Sequence, residues 1–64
     1  MGDERERYIK IGAKIKFYRQ LKKIGQTELA GKVGITSQYL SKIECGKQMP
    51  SLQVLLLILS LIHI

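Results

Sequence analysis

The sequence predicts an all-α fold, a bundle of four short helices, on three observations. Tyr8, Ile11, Ile15 and Tyr18 recur at spacings of three and four, the period of a helix with one apolar face. Residues 26–44 hold two short periodic segments, and Gly25, Gly34 and Thr36, which precede and separate them, are residues that start and stop helices. After Pro50 and Ser51 comes a fourth, strongly apolar stretch. The expected spans are 6–23, 26–33, 37–44 and 51–62.

A chain of 64 residues makes one small domain, because a domain this short buries only about 60% of its unfolded surface. That leaves little room for a catalytic cleft and favours binding over catalysis. A hydrophobic fraction of 45% with a net charge of +6 fits a folded domain that attracts a polyanion, either nucleic acid or an acidic membrane surface. Cys45 is the single cysteine and His63 the single histidine, so neither an internal disulfide nor a His/Cys metal site is expected. The expectation is a cytoplasmic protein with no metal or cofactor. The opening MGDERERY is charged where a secretory signal is apolar, and the run from Val54 to Ile64 is too short to span a bilayer. There is no nucleophile beside a base, no carboxylate pair and no phosphate-cradling glycine loop, so the chain does not read as an enzyme.

Residues 1–7 mix Asp3, Glu4 and Glu6 with Arg5 and Arg7 and read as a charged arm. From Tyr8 to Lys23 the chain holds six basic residues and no acid. Lys10, Lys14 and Lys16 fall off the apolar stripe, and taken alone this is a solvated amphipathic helix. The second helix starts after Gly25, with Glu28 three residues later placed to reach back to the open amide groups as in a capping box. Leu29, Ala30 and Val33 form its inner face. Gly34 supplies the left-handed C-cap without steric cost, and Thr36 caps the third helix. There Tyr39, Leu40 and Ile43 form the apolar arc, which leaves Ser37, Gln38, Ser41 and Lys42 on the opposite side with no acid among them.

Base edges present closely spaced donors and acceptors that Gln and Lys meet directly, while short serines allow close approach to the duplex. Two short helices joined by a tight glycine turn, the second with an exposed polar face, form a helix-turn-helix arrangement.

The segment QTELAGKVGITSQYLSKIECGKQMPSL resembles the Cro and phage-repressor (XRE) class of helix-turn-helix proteins. The resemblance runs from about Ile11 through Ile58 without a gap. It includes the Gln and Glu-Leu-Ala that open the second helix, the glycine of the turn, the Leu-Ser-Lys-Ile-Glu of the third helix, and the Gly-Lys and Pro that follow. It implies a lambda-repressor-like bundle whose fifth helix is missing here, double-stranded DNA as the partner, and transcriptional regulation, as a repressor that blocks polymerase.

Carried over by resemblance, Gln26 is the phosphate-contacting glutamine at the start of the second helix, where the helix dipole also favours an anion. Ser37, Gln38 and Lys42 fall at base-reading positions, with Thr36 and Ser41 beside them and Gln38 weighted most. Lys47 matches a position that approaches the phosphate backbone. Tyr39 combines packing on the core edge with a hydroxyl near the backbone. The resemblance assigns Arg19 and Glu44 a structural role, a partly buried salt bridge that ties the first helix to the end of the third. Cys45 stands where the family is often polar, and is expected to be exposed with nothing placed to activate its thiol.

Leu52, Leu55, Leu56 and Ile58 follow the family's packing pattern, which then stops. The remaining hexapeptide, Leu59 to Ile64, is also what one reading frame of a common transposon-end sequencing adapter encodes. The expectation is therefore a domain over 8–58 followed by an apolar tail, 59–64, read as an assembly artefact replacing a longer natural chain, the alternative being a genuine short protein whose tail packs on itself or on a partner. An unbroken apolar run from Val54 to Leu59 favours self-association, and a homodimer suits a palindromic operator if the fourth helix is native. Two other readings differ in class. One is an interaction module such as an antitoxin-type regulator acting through its apolar C-terminal helix. The other is a basic amphipathic peptide on a membrane surface.

Overall fold

The computed structural model describes residues 3–62, so His63 and Ile64, the end of the expected tail, lie outside the described residues. Four helices follow one another: α1 Asp3–Leu21, α2 Gln26–Val33, α3 Ser37–Glu44 and α4 Leu52–Ile62. Each contributes to a single core of Ile15, Leu29, Ala30, Val33, Leu40, Ile43, Ile58 and Ile62. Among the described residues no helix is long and apolar enough to cross a membrane.

The first helix buries Ile15 fully and packs Ile11 and Tyr18 against the core, while Lys10, Lys14 and Lys16 are exposed. It extends back through residues 3–7, which were expected as an arm, and ends at Leu21 where 23 was expected. The end is set by Lys23, whose φ of 60° is left-handed, the only such value at a non-glycine among the described residues. Lys23 N–H donates to Gln20 O and Ile24 N–H to Arg19 O, a Schellman termination that usually takes glycine. A side chain in that region costs on the order of 1 kcal/mol, and no composition signal marks it.

Two glycines let α1 press on the end of α3. Gly12 is buried in the middle of α1, and a Cβ there would collide with the carbonyl oxygens of Ile43 and Glu44. Gly46, with φ of 79°, ends α3. A Cβ on it would stand 2.6 Å from Ile9 Cγ1.

Gly25 precedes α2 in extended conformation with no side-chain cap. The capping role expected of Glu28 is not what the structure shows. Its carboxylate lies 3.7 Å from Lys32 Nζ, with both side chains 55% exposed. A cation one turn along the same face competes for it, and water serves the open amides of an exposed helix start. Gly34, at φ of 87°, closes α2 with its N–H on Ala30 O. Thr36 Oγ1 then accepts from Tyr39 N–H at 3.0 Å and starts α3.

In α4, Ser51 Oγ accepts from Val54 N–H at 3.2 Å. Ile58 and Ile62 are buried completely, with Val54, Leu55 and Leu61 packed beside them. This corrects the expected inner face: Leu52 is 71% and Leu56 57% exposed. In a helix with leucine on every side, hydropathy selects no face, and contact with α1 and α2 decides it.

Candidate nucleic-acid interface

The third helix divides cleanly into two sides. Leu40 and Ile43 are buried, and Tyr39 is half-buried against the core. At 100° per residue, Ser37, Ser41, Gln38 and Lys42 occupy one continuous arc on the other side. Gln38 and Lys42 are exposed and the two serines half-buried, so the long polar groups stand out from a base of short ones. Eight residues make a helix about 12 Å long, comparable with the width of a major groove of B-DNA.

Around this helix a single carboxylate fixes orientation. Arg19 Nε donates to Glu44 Oε2 at 2.7 Å and Arg19 Nη2 donates to Glu44 Oε1 at 3.1 Å, a bidentate pair. Arg19 Nη1 donates to the carbonyl of Ile24 at 2.8 Å, which holds the loop before α2. Gln26 Nε2 donates to Glu44 Oε1 at 3.1 Å. One acid at the end of α3 thus joins α1, the start of α2 and the loop between them. The Arg19 and Glu44 side chains are only 9% and 2% exposed, and among the described residues no buried side-chain polar atom lacks a partner. A carboxylate is unfavourable in the last turn of a helix, where the dipole is negative, and the buried guanidinium compensates it.

The structure places the other candidate residues as follows. Thr36 is exposed at the start of α3, its oxygen occupied by the cap. Gln26 is half-buried, with its amide turned to Glu44, so a phosphate at this helix start would share a side chain already held in place. Lys47 is exposed just past α3, and its N–H donates to Lys42 O. Cys45 is a free, exposed thiol at the C-cap. Among the described residues 4–62 no carboxylate lies within ion-pair distance of Lys42 or Lys47; the acids nearest in sequence, Glu28 and Glu44, are engaged with Lys32 and Arg19.

Sequence reasoning missed three positioning features: the hydrogen bond from Gln26 to Glu44, the hydrogen bond from Arg19 to Ile24, and the close approach at Gly12. Only Gly12 leaves a trace in the sequence. It is a glycine inside a helix on the face shared by Tyr8, Ile15 and Arg19, where any side chain would normally be favoured.

Two short helices at a glycine turn, the second locked through its own Glu44 to Arg19 and Gln26 and presenting an acid-free polar arc, define a helix-turn-helix domain. A family model described as Helix-turn-helix matches residues 15–64, and the chain belongs to that family, in its Cro/C1-type (XRE) class. It is a family of DNA-binding regulators. The match continues beyond Ile58, where the pattern was expected to stop, and includes the fully buried Ile62. The ImmF control region 10 kDa protein of Bacillus phage phi105 is 44% identical over 55 residues, which is 86% of this chain. The chain spans 61% of that relative's length.

Proposed function

We propose that this chain binds double-stranded DNA sequence-specifically and regulates transcription as a repressor, with α3 in the major groove. The observation that carries the reading is the acid-free arc of Ser37, Gln38, Ser41 and Lys42, exposed or half-buried on a helix whose orientation is fixed from behind by Glu44. Gln38 suits a bidentate contact with adenine and Lys42 the acceptors of guanine. Gln26, Thr36, Tyr39 and Lys47 surround that arc and serve backbone contacts, which set register without reading sequence. The relative's name places it in a phage control region, which is in keeping with this reading. Two copies bound to a palindromic site, with recognition helices about 34 Å apart, would block polymerase.

The test is selection of duplexes from a random pool by the wild type and by the Gln38→Ala, Lys42→Ala double variant. Enrichment of a short motif by the wild type, relaxed or lost in the double variant, is the expected result. Salt-sensitive binding with no motif, equal in both proteins, would leave phosphate attraction alone and defeat the reading.

A second reading draws on α4, where Leu52, Leu56 and Leu57 are 71%, 57% and 43% exposed. Such a surface suits a protein partner, as in an antitoxin-type regulator. It predicts partner binding that survives the double substitution in α3.

A further inference from the structure

We propose that Arg5, in the first turns of α1, is a second backbone-phosphate contact that forms a two-cation clamp with Lys47 beside the recognition helix. This inference rests on the DNA-binding reading above and extends its footprint to a part of the chain that precedes the family match, which begins at Ile15.

An open groove of about 560 Å³ separates the start of α1 from the loop after α3. Arg5, Tyr8 and Ile9 line one wall, with Gly46 and Lys47 on the other. The walls are held together without a covalent link. Gly46 lies so close to α1 that an added Cβ would meet Ile9 Cγ1 at 2.6 Å and Ile9 Cα at 2.8 Å. Arg5 sits one turn before Ile9 on the same helical face, and Lys47 directly follows Gly46. The spacing between guanidinium-bearing wall and ammonium-bearing wall is therefore set by a glycine contact rather than by flexible chain.

A phosphodiester suits this groove for three reasons. Guanidinium and ammonium groups on opposing walls can both donate to phosphate oxygens, Arg through its planar fork. The groove is open to solvent, as a contact to a duplex backbone requires. It also adjoins the C-terminal end of α3, the helix proposed to enter the duplex, through Cys45, Gly46 and Lys47. Glu4 also lines the groove and opposes the anion, which predicts that its neutralisation tightens binding.

The experiment compares the wild type with Arg5→Ala, Lys47→Ala, Glu4→Gln and a charge-matched control, Lys14→Ala, whose side chain lines the α1–α4 side instead. Affinity for one selected duplex and for one random duplex is titrated against salt. Each lost phosphate contact lowers the slope of log K against log salt by about 0.9. Arg5→Ala and Lys47→Ala should each therefore lose about 3-fold less affinity than the wild type between roughly 50 and 200 mM salt. The weakening at low salt should be equal on both duplexes, since phosphate contacts carry no sequence information. Glu4→Gln should bind more tightly and Lys14→Ala should keep the wild-type slope. Melting followed by circular dichroism should be unchanged in Arg5→Ala, because the side chain is exposed.

A slope for Arg5→Ala equal to that of the wild type and of Lys14→Ala overturns the clamp, even where Gln38→Ala still relaxes sequence preference. Equal slope reductions in Arg5→Ala and Lys14→Ala also overturn it, in favour of diffuse charge. A wild type that binds no duplex at any salt removes the clamp together with the reading it rests on.

Discussion

The two helices α3 and α4 each bury one side in the core, yet they use their outer sides in opposite ways. In α3 the exposed side is an arc of Ser, Gln and Lys, and every feature behind it restrains the helix: a threonine cap, a left-handed glycine at each flanking turn, and a carboxylate bound by Arg19 and Gln26. In α4 the inner side is equally well buried through Ile58 and Ile62, but the outer side still carries Leu52, Leu56 and Leu57. On the proposed reading, restraint is concentrated where polar side chains must be aimed, because hydrogen bonds to bases tolerate little error in position or angle. Apolar side chains meet a partner through area, which is insensitive to direction.

This contrast can be broken most severely at Glu44. Glu44→Ala leaves the buried Arg19 guanidinium uncompensated and should destabilise the domain by about 3–5 kcal/mol. For a domain of this size that is enough to abolish the cooperative melt, and replacing both partners by Leu and Met should recover much of it. Ile62→Ala removes a fully buried side chain from α4 and should cost about 2–5 kcal/mol, read from urea midpoints. A negligible effect there would mean that the last turn does not pack as described.

Smaller effects sharpen the comparison. Gly12→Ala forces a methyl group onto the carbonyls of Ile43 and Glu44 and should cost on the order of 1–3 kcal/mol through overpacking, despite the better helix propensity of alanine. Thr36→Ala removes the α3 cap at a cost of about 1 kcal/mol. Leu52→Ser with Leu56→Ser should change stability by no more than about 0.5 kcal/mol while lowering self-association in sedimentation velocity. A large stability loss in that pair would show that the outer leucines are part of the core.

The helix-turn-helix was legible because its boundaries are written in local chemistry. Gly34 and Thr36 can each do little else at those positions, and the expected spans of α2 and α3 match the helices found. The first helix was less legible, since Lys23 adopts a backbone conformation that its side chain does not advertise. In α4 the stretch LQVLLLILSLI gives no polar contrast, so Leu52 and Leu56 were placed inward on pattern and the three-dimensional contacts reversed them. The arc of Ser37, Gln38, Ser41 and Lys42 followed from helical period alone. The hydrogen bond from Gln26 to Glu44 spans 18 positions and depends on the packing of three elements, which no local pattern encodes.

The side chains that aim α3 and those on its outward arc are disjoint sets. Gly12, Arg19, Gly34, Glu44 and Gly46 determine where the helix points, and none of them belongs to the arc of four. On the proposed reading, preference for a target is therefore separable from architecture: four outward codons could be exchanged between relatives, or randomised in a library, while the scaffold that presents them is inherited unchanged.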